Sequence, residues 1–444
     1  MGGHVSNIYF GLSPMPVATG LLAVTYAIIM SEKVNRAIVA LLGACLMVVV
    51  GVMSQEEAFK GVDWNTIGLL TGMMILVSVS RRSGMFQYVA VWSAKAAKAH
   101  PAGILLLLQI TTAVLSAFLD NVTTVLLIVP VTLAITRDLE VPPYPYLFAE
   151  IFAANIGGTA TLIGDPPNIL IGSQVGLDFN AFVIHLAPVI VVVMAVQAVM
   201  IHMVWGKDLK ATPERKARVM AMRPEETITD WLLLKQSLAV LTVVMIAFVL
   251  ARPLHLEPAT IAMFGAAVLM LLDNWAHHAE KASENVHKTF GDVEWITIFF
   301  FIGLFMVVHG VEVSGFLKLL ADHLVAATGG NMAHAGYAIL WASAVLSAIV
   351  DNIPFVATMI PLIKSMAAAY GGPDKIEPLW WCLSLGACLG GNGTLIGASA
   401  NLTVAGLSER AGVPFRFLTY TYYAFPMMLV SIAISHVYVW WRYF

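Results

Sequence analysis

Charged side chains are scarce in this sequence of 444 residues. Asp, Glu, Lys and Arg make up 11% of the chain, whereas 59% of it is hydrophobic. Soluble domains carry roughly 25% charged residues, so the composition excludes an ordinary soluble globular protein. Apolar runs of about 20 residues recur along the chain, and each is long enough to cross a bilayer. The sequence therefore predicts an all-α, polytopic membrane protein with the lipid bilayer as its surroundings.

Cysteine and nucleotide-binding motifs are also rare or absent. The three cysteines, Cys45, Cys382 and Cys388, all lie in apolar segments. They are too few for a disulfide framework and are wrongly spaced for a three-thiolate metal site, so we predict no metal and no cofactor. No ATP-binding motif is present, so ATP-driven pumping would need a partner ATPase subunit. We predict no nucleic-acid partner.

The apolar runs predict ten membrane crossings in two halves. The first half covers residues 1–205, a hydrophilic linker covers 206–230, and the second half covers 231–444. The linker contains six Lys and Arg residues, so the positive-inside rule places it in the cytoplasm. We interpret it as a solvated linker and assign no role to its charges. We predict that the protein lies in the cytoplasmic membrane. Because five crossings lie on either side of the linker, both termini are predicted to be extracytoplasmic.

Each half contains a helix that its sequence interrupts. The stretch from Asn155 to Asn168 holds three glycines, two prolines and an aspartate inside the hydrophobic segment 145–171. Glycine and proline break a membrane helix, and the freed backbone groups are tolerated only where they are buried in protein or line a cavity. Segment 379–411 has the same character. We predict two broken helices of the kind that form substrate sites in transporters.

Two hydrophobic hairpins precede the broken helices. Segments 102–136 and 333–369 are each polar in the middle, at Asp120-Asn121 and at Asp351-Asn352. Each arm is marginal as a full span, so we interpret both hairpins as re-entrant.

The two halves repeat each other. Trp64 matches Trp295 at an offset of 295 − 64 = 231, and the hairpins keep that offset. The broken helices match at 401 − 168 = 233, which pairs Asn168 with Asn401. An odd number of crossings in each half requires the second to insert upside down. Inverted repeats predict a pseudo-two-fold axis and a site at the repeat interface near the midplane.

Three aspartates lie where the membrane is deepest. Asp120 and Asp351 stand at equivalent hairpin tips, and Asp165 stands in the first break, where the second has Ala398. An ionised aspartate at mid-bilayer costs about 2.5–3.5 kcal/mol or more. Capping of a half-helix is one explanation for the two tip residues. For Asp165, which has no acidic twin, we favour proton or cation coupling, with Asp120 and Asp351 as further candidates.

Uncharged polar side chains surround these aspartates, and no Arg or Lys lies in the tips or breaks. They predict a pocket without fixed positive charge, suited to a neutral hydroxylated solute or a cation; an anion would depend on helix N-termini and amides. The alternative is that these groups only satisfy the broken backbone. The predicted substrate-binding residues are Asn121, Asn155, Thr159, Asn168, Asn352, Asn392, Thr394 and Asn401.

The stretch from Asn155 to Asn168, together with Leu119 to Leu127, resembles the arsenite-permease and P-protein branch of the ion transporter superfamily. This branch includes D-type sodium–proton antiporters and, more distantly, citrate and dicarboxylate carriers. The resemblance implies a scaffold domain and a transport domain with two hairpins and two broken helices, often in a homodimer. It also implies arsenite or antimonite transport with or against protons. Dicarboxylate carriers have Ser-Asn-Thr at the tips; the Asp-Asn tips here argue against a carboxylate substrate.

Together these features predict a secondary transporter that exports arsenite or antimonite in exchange for protons. The alternatives are a sodium–proton antiporter and a carrier of another inorganic or organic anion. A passive channel and an intramembrane hydrolase built on paired aspartates remain open. The hydrolase requires the carboxylates of Asp120 and Asp351 to meet, and inverted repeats favour transport, so we predict that the protein is not an enzyme.

Overall fold

The computed structural model describes residues 12–31, 33–275 and 278–444, and within these ranges the chain forms helices and no strand. Within the described ranges, the first half forms ten α-helices. They are α1 (Pro14–Met30), α2 (Arg36–Val49), α3 (Gln55–Lys60), α4 (Trp64–Arg81), α5 (Met85–Ala96), α6 (Pro101–Phe118), α7 (Asn121–Leu139), α8 (Tyr144–Thr159), α9 (Pro166–Val175) and α10 (Phe179–Trp205).

The linker contributes α11 (Pro213–Ala221), and the second half follows in the same order as the first. Its helices are α12 (Trp231–Val249), α13 (Ala251–Leu254), α14 (Pro258–Asn274), α15 (Ala279–Gly291), α16 (Trp295–Val313), α17 (Phe316–Ala327), α18 (Met332–Ile349), α19 (Asn352–Met366), α20 (Glu377–Gly390), α21 (Ser399–Arg410) and α22 (Phe417–Tyr443).

Eight helices in the described part of the chain are long and apolar enough to cross a membrane. Four of them are α10, α12, α16 and α22. The other four are the arms of the two hairpins, α6, α7, α18 and α19, the last continued by a 3₁₀ turn to Tyr370. The prediction of a multi-pass helical protein is confirmed. The hairpin arms are longer than the sequence suggested, since α6 and α7 have 18 and 19 residues.

Matching glycines allow matching helices to cross closely. A Cβ on Gly72 of α4 would lie 2.6 Å from the carbonyl carbon of Ala262 in α14. A Cβ on Gly303 of α16 would lie 2.6 Å from the equivalent atom of Ala40 in α2. Helix α4 of the first half therefore packs on α14 of the second, and α16 of the second half packs on α2 of the first, so the two halves interlock.

The turns after α4 and α16 also match. Gly84 and Gly315 adopt φ values of 83° and 86°, a left-handed conformation that glycine adopts at no steric cost. Each turn sends the chain into a short amphipathic helix, α5 or α17.

Each hairpin packs against the broken helix of its own half through the same contacts. A Cβ on Gly157 would lie 2.5 Å from the Cα of Ala113, and one on Gly390 would lie 2.6 Å from the Cα of Ala344. The hydroxyl of Ser116 donates to the backbone of α8 at 2.7 Å, as its twin in α18 does to α20 at 2.6 Å. The halves therefore share one architecture, whereas their opposite orientation in the membrane stays a prediction.

The broken helices form the centre of the molecule. Every residue from Pro145 to Thr159 is buried, and so is every residue from Leu379 to Gly390. The interrupted backbone is thus surrounded by protein, which is the condition for its stability at membrane depth.

The interpretation of the linker as merely solvated is wrong. Its residue Thr229 donates its backbone N–H to the carbonyl of Ser83 at 3.0 Å, and Lys95 of α5 donates to the carbonyl of Met222 at 2.8 Å. Two arginines of α11 pair with Glu140 at the end of α7. The linker is therefore docked on the first half by backbone and charge contacts that its composition does not reveal.

Candidate functional site

The two hairpin tips and the two breaks meet around one small cavity of about 20 Å³. A cavity of 10–15 Å³ or more holds one water, so this one accommodates a water or a small ion. The residues that line it come from both halves of the chain: Arg36, Leu70, Met74, Asp120, Asn121, Val122, Asp165, Pro166, Glu294, Thr297, Asn352, Ile353 and Ser399.

The aspartates at the hairpin tips are helix caps. Asp120 accepts the backbone N–H of Thr123 at 2.8 Å and the hydroxyl of the same residue. Asp351 accepts the backbone N–H of Ile353 at 3.1 Å. A carboxylate in this position satisfies backbone groups at the start of a helix and interacts favourably with its dipole. No hydrogen bond between the two carboxylates occurs among the described residues, so the contact that the hydrolase alternative requires is not seen.

Asp165 is arranged differently, although it also precedes a helix. Its side chain makes no cap to α9. Instead, Oδ1 accepts a hydrogen bond from Nδ2 of Asn121 at the first tip, at 3.2 Å. Its Oδ2 has no hydrogen-bond partner within the described ranges, and the residue is 0% exposed. Asp165 therefore presents a buried, incompletely bonded carboxyl group beside the tip of the first hairpin.

The structure adds a cation that the sequence analysis missed, so the expectation of a pocket without fixed positive charge is wrong. Arg36, the first residue of α2, donates from Nη1 to Asp351 Oδ2 at 3.0 Å and to the hydroxyl of Ser399 at 2.7 Å. Its Nη2 donates to Thr297 at 3.2 Å, and its guanidinium lies 5.0 Å from the ring centre of Phe300. Arg36 thus joins α2 and α16 to the second tip and the second break.

A second cavity of about 320 Å³ adjoins this cation. Val350 and Asp351 of the second tip line it, together with Arg36 and with Glu294 at the start of α16. It lies where α2 and α16 begin. Asp292, just before α16, pairs with Arg81 at the end of α4, so this is the end of α4 that faces the linker. The positive-inside rule predicts that this end lies on the cytoplasmic side.

Amide groups connect the two halves across the centre. Asn121 donates to Asn155 at 3.0 Å, and Asn155 donates in turn to Asn392 and to Asn401, both at 2.9 Å. The Nδ2 atoms of Asn352 and Asn392 have no partner in the described part of the chain. These hydrogen bonds therefore link the broken helix of the first half to the break of the second.

Other predicted residues hold the breaks together. Asn168 donates to the carbonyls of Thr159 and Thr161, on the two sides of the first break, at 3.0 and 2.9 Å. Asn401 does the same for the carbonyls of Gly391 and Thr394, at 2.8 Å each.

The hydroxyls of the predicted set also bond to the backbone. That of Thr159 donates to the carbonyl of Asn155 at 2.7 Å, and that of Thr394 donates to the carbonyl of Ala348 at 2.5 Å. The hydroxyls of these two threonines and the amide nitrogens of Asn168 and Asn401 thus donate to backbone carbonyls at the breaks and hairpins. For these groups, the alternative that they only satisfy the broken backbone accounts for the observed bonds.

Two further buried polar groups are Glu150, which the sequence analysis did not single out, and Cys388, which it discounted as a metal ligand. Glu150 of α8 is 1% exposed, and Thr132 of α7 donates to it. Cys388 lies 3.6 Å from Oδ1 of Asn168, which also accepts from Ser384 at 2.6 Å. Glu150 could have been found, because an ionisable residue inside an apolar segment is by default a candidate functional residue. Arg36 gave no such signal, since a cation at the start of a membrane helix is ordinary.

Comparisons with known proteins agree with this architecture. A family model described as "Citrate transporter", CitMHS, matches residues 26–386. An uncharacterized transporter of Mycobacterium tuberculosis is 42% identical over 432 residues, which cover 96% of this chain and 98% of that protein. The human P protein is 32% identical over 515 residues, which cover 96% of this chain and 60% of the human protein.

Two solved structures share the fold. The YdaH transporter of Alcanivorax borkumensis aligns with a TM-score of 0.61 at 11% identity, covering 97% of this chain and 99% of that one. MtrF of Neisseria gonorrhoeae, described in a study of antimetabolite efflux pumps, aligns with a TM-score of 0.52 at 11% identity, covering 97% and 95%.

The fold and its relatives define a multi-pass membrane transporter. More specifically, the chain belongs to the citrate transporter (CitMHS) family. The predicted similarity to P proteins is confirmed, whereas membership of the arsenite-permease branch stays a prediction.

Proposed function

We propose that this protein is a secondary transporter in which Asp165 carries the coupling proton. The observation that supports this most directly is the position of its carboxyl group, which is fully buried beside a hairpin tip with one oxygen unpartnered. An ionised carboxylate in such a place is costly unless it is paired, whereas the protonated form is not. Small movements of the hairpin tips would therefore change the proton affinity of Asp165.

Asp120 and Asp351 have supporting roles in this proposal. Asp351 is paired with Arg36 at 3.0 Å, and Asp120 has backbone and hydroxyl donors but no paired cation among the described residues. Asp165, with one oxygen unpartnered, is the least fully bonded of the three carboxyl groups, and we assign the proton to it. The protein would lie in the cytoplasmic membrane with its linker inside and both termini outside, and the halves would act as inverted repeats around the site.

For the transported solute we propose a trivalent arsenic or antimony hydroxide. The amides that connect the halves support this choice, since Asn121, Asn155 and Asn392 offer neutral donors and acceptors that match hydroxyl groups. Four of the predicted contacts donate to backbone carbonyls instead: Asn168, Asn401, Thr159 and Thr394. The proposed solute contacts are therefore Asn121, Asn155, Asn392 and Asn352. The cavity of about 20 Å³ would have to widen for such a solute to enter.

Sodium–proton exchange is the second candidate, and a specific observation favours it. The cavity between the tips has the size of one water or one bare cation, and Asp120, Asp165 and Glu294 all line it. Hard cations are bound by carboxylate and carbonyl oxygens. In that case Asp165 would exchange a proton for the metal ion directly.

One experiment separates these proposals. Purified protein in proteoliposomes is given a gradient of arsenite, antimonite, Na⁺ or citrate, and an internal pH dye reports proton movement. Proton flux with arsenite or antimonite, lost in Asp165→Asn, is the expected result. A response to Na⁺ alone would refute the arsenite proposal and support exchange. A response to citrate alone would give Arg36 the role of an anion site, and solute flux that ignores the pH gradient would indicate a channel.

A further inference from the structure

Helices α6, α7 and α8 carry five buried polar side chains. Gln109 and Thr112 come from α6, Thr124 and Thr132 from α7, and Glu150 from α8. Each of the five is at most 1% exposed, and the three helices pack against one another. We call these five residues the polar column.

The polar column extends from the hairpin tip towards the linker side. Thr124 is one turn from Asn121, the residue that donates to Asp165. Thr132 lies about 16 Å further along α7 than Asn121, at 1.5 Å per residue. Glu150, to which Thr132 donates, lies about 14 Å before the end of α8 on the same rise. Because α7 ends and α8 begins beside the docked linker, the lower end of the column faces the cytoplasmic side.

Four atoms of the polar column have no hydrogen-bond partner among the protein atoms described: Gln109 Nε2, Thr112 Oγ1, Thr124 Oγ1 and Glu150 Oε2. Leaving such a group unpaired in the interior destabilises the fold. Buried polar groups are normally satisfied, and ordered water does so where protein does not. Ordered water is therefore the partner that we expect for these four atoms.

The fold does not require this polarity, because the second half builds the same three-helix contact without it. At the offsets of 231 and 233 only Thr112 has a hydroxyl counterpart, Ser343. The other counterparts are apolar: Leu340 for Gln109, Phe355 for Thr124, Ile363 for Thr132 and Leu383 for Glu150. Leu340, Ile363 and Leu383 are as fully buried as the residues that they replace.

We propose that the polar column is a proton path between the cytoplasmic side and Asp165, with Glu150 as its protonatable residue. The proposal rests on the proposed function, in which Asp165 carries the coupling proton. Neutral Glu150 releases its proton through the column to the Asp165 carboxylate and regains one from the cytoplasmic side. Only O–H bonds break and form, so no further reactant is needed.

No other charged group competes with this role in the described residues, since none forms an ion pair or a hydrogen bond with Glu150. The apolar helix α6 contributes no titratable side chain to the contact. The titratable side chains on α8 itself and on the other helices packed against it are Tyr144, Tyr146, Arg137, Asp138, His185, His202, Glu377, Cys382, Cys388, Glu409 and Arg410.

The test compares net proton flux with solute exchange in Glu150→Gln. Proteoliposomes receive an arsenite gradient and, in parallel, a Na⁺ gradient, while an internal pH dye records proton movement. Exchange of the same solute is then measured at equal pH on both sides, where no net proton movement is needed. We expect proton flux to fall about 100-fold, the scale of a lost proton donor, and exchange to stay within about twofold of wild type.

Matched variants separate a proton path from a packing effect. Glu150→Met and Leu383→Met place the same side chain at twin positions, and only the first should lose proton flux. Thr132→Val and Gln109→Leu provide the same test if Glu150→Gln does not fold.

Wild-type proton flux in folded Glu150→Gln would overturn the path and leave the proposed function standing. Equal loss of flux and exchange would show a structural role and also overturn it. Absence of proton flux in the wild type would refute the proposed function itself, and the path with it.

Discussion

The ion pair between Arg36 and Asp351 gives the most quantitative prediction. Arg36→Gln removes the cation that connects α2 to the second hairpin tip and leaves Asp351 without its partner. Two unit charges 3.0 Å apart attract by about 5–6 kcal/mol at an effective dielectric constant of 20. The side chains are 26% and 16% exposed, so solvation offsets much of this attraction. A net loss of about 2 kcal/mol remains, which is typical of a hydrogen bond to a charged group.

Removal of the other partner of the ion pair should lower the free energy of unfolding by less. In Asp351→Asn, Arg36 keeps its bonds to Ser399 and Thr297 and its position over Phe300. We expect a loss of about 1 kcal/mol, which is an ordinary neutral hydrogen bond. The double variant should lose less than the sum of the two single ones, by about 1–2 kcal/mol.

Denaturant unfolding in lipid–detergent micelles, followed by tryptophan fluorescence, measures the four free energies of the cycle. The pair Arg81–Asp292, at 3.4 Å with Arg81 45% exposed, is the matched control and should couple by about 0–1 kcal/mol. Arg36→Lys should recover only part of the loss, since lysine cannot bridge the same acceptors in one plane. Additivity within about 0.5 kcal/mol, or coupling no larger than in the control pair, would refute the assignment of Arg36 as a link between α2 and the tip.

Three further predictions test separate parts of the structure. Asp165→Asn should fold normally and lose proton-coupled flux; unchanged coupling would move the proton to Asp120 or Asp351. Gly72→Ala and Gly303→Ala should each lower the free energy of unfolding by about 1–3 kcal/mol through overpacking, because the added Cβ lies 2.6 Å from backbone. Gly20→Ala, whose Cβ would have nothing within 4 Å, should cause no such loss. Unequal losses for Gly72→Ala and Gly303→Ala would contradict the matched crossings. The two arginines of α11 lower the pKa of Glu140. Their contact with Glu140 is therefore fully present at pH values above the usual glutamate pKa, and it is lost as the pH falls through the lowered pKa. Glu140→Gln should therefore speed trypsin cleavage of α11 at pH ~7.5. Acidic pH should likewise speed the cleavage of α11 by pepsin in the wild-type protein. Equal digestion rates would disprove this role of Glu140.

Much of the fold could be read from the sequence because the bilayer leaves few choices for an apolar chain. Helices α1 and α17 begin where Pro14 and Gly315 mark a helix start in the sequence. The repeat could be read too, because glycines at close helix crossings and serines that tie hairpins to broken helices cannot be exchanged freely. The short amphipathic helix α15 could not be read in this way, because its sequence has no long apolar run.

The electrostatics of the site could not be predicted in the same way. Arg36 reaches Asp351 over a separation of 315 residues, and only the packing of α2 beside the second tip brings them together. Asn168 and Asp165 are three residues apart in one motif, yet the first holds the break together and the second faces the cavity. That division depends on backbone geometry within the break, which composition and spacing do not fix.

The comparison between the two halves gives a criterion for separating structural from functional residues in this chain. Residues that match make matching contacts: Thr161 and Thr394 each donate to the hairpin backbone at 2.5 Å. Such positions are needed twice, because the fold is built twice. The positions that differ have no such requirement: Asp165 corresponds to Ala398 in the second half, and Glu150 corresponds to Leu383. A buried carboxyl that only one half possesses costs stability without serving the shared architecture, and coupling to an ion from one side of the membrane is a function that needs such asymmetry.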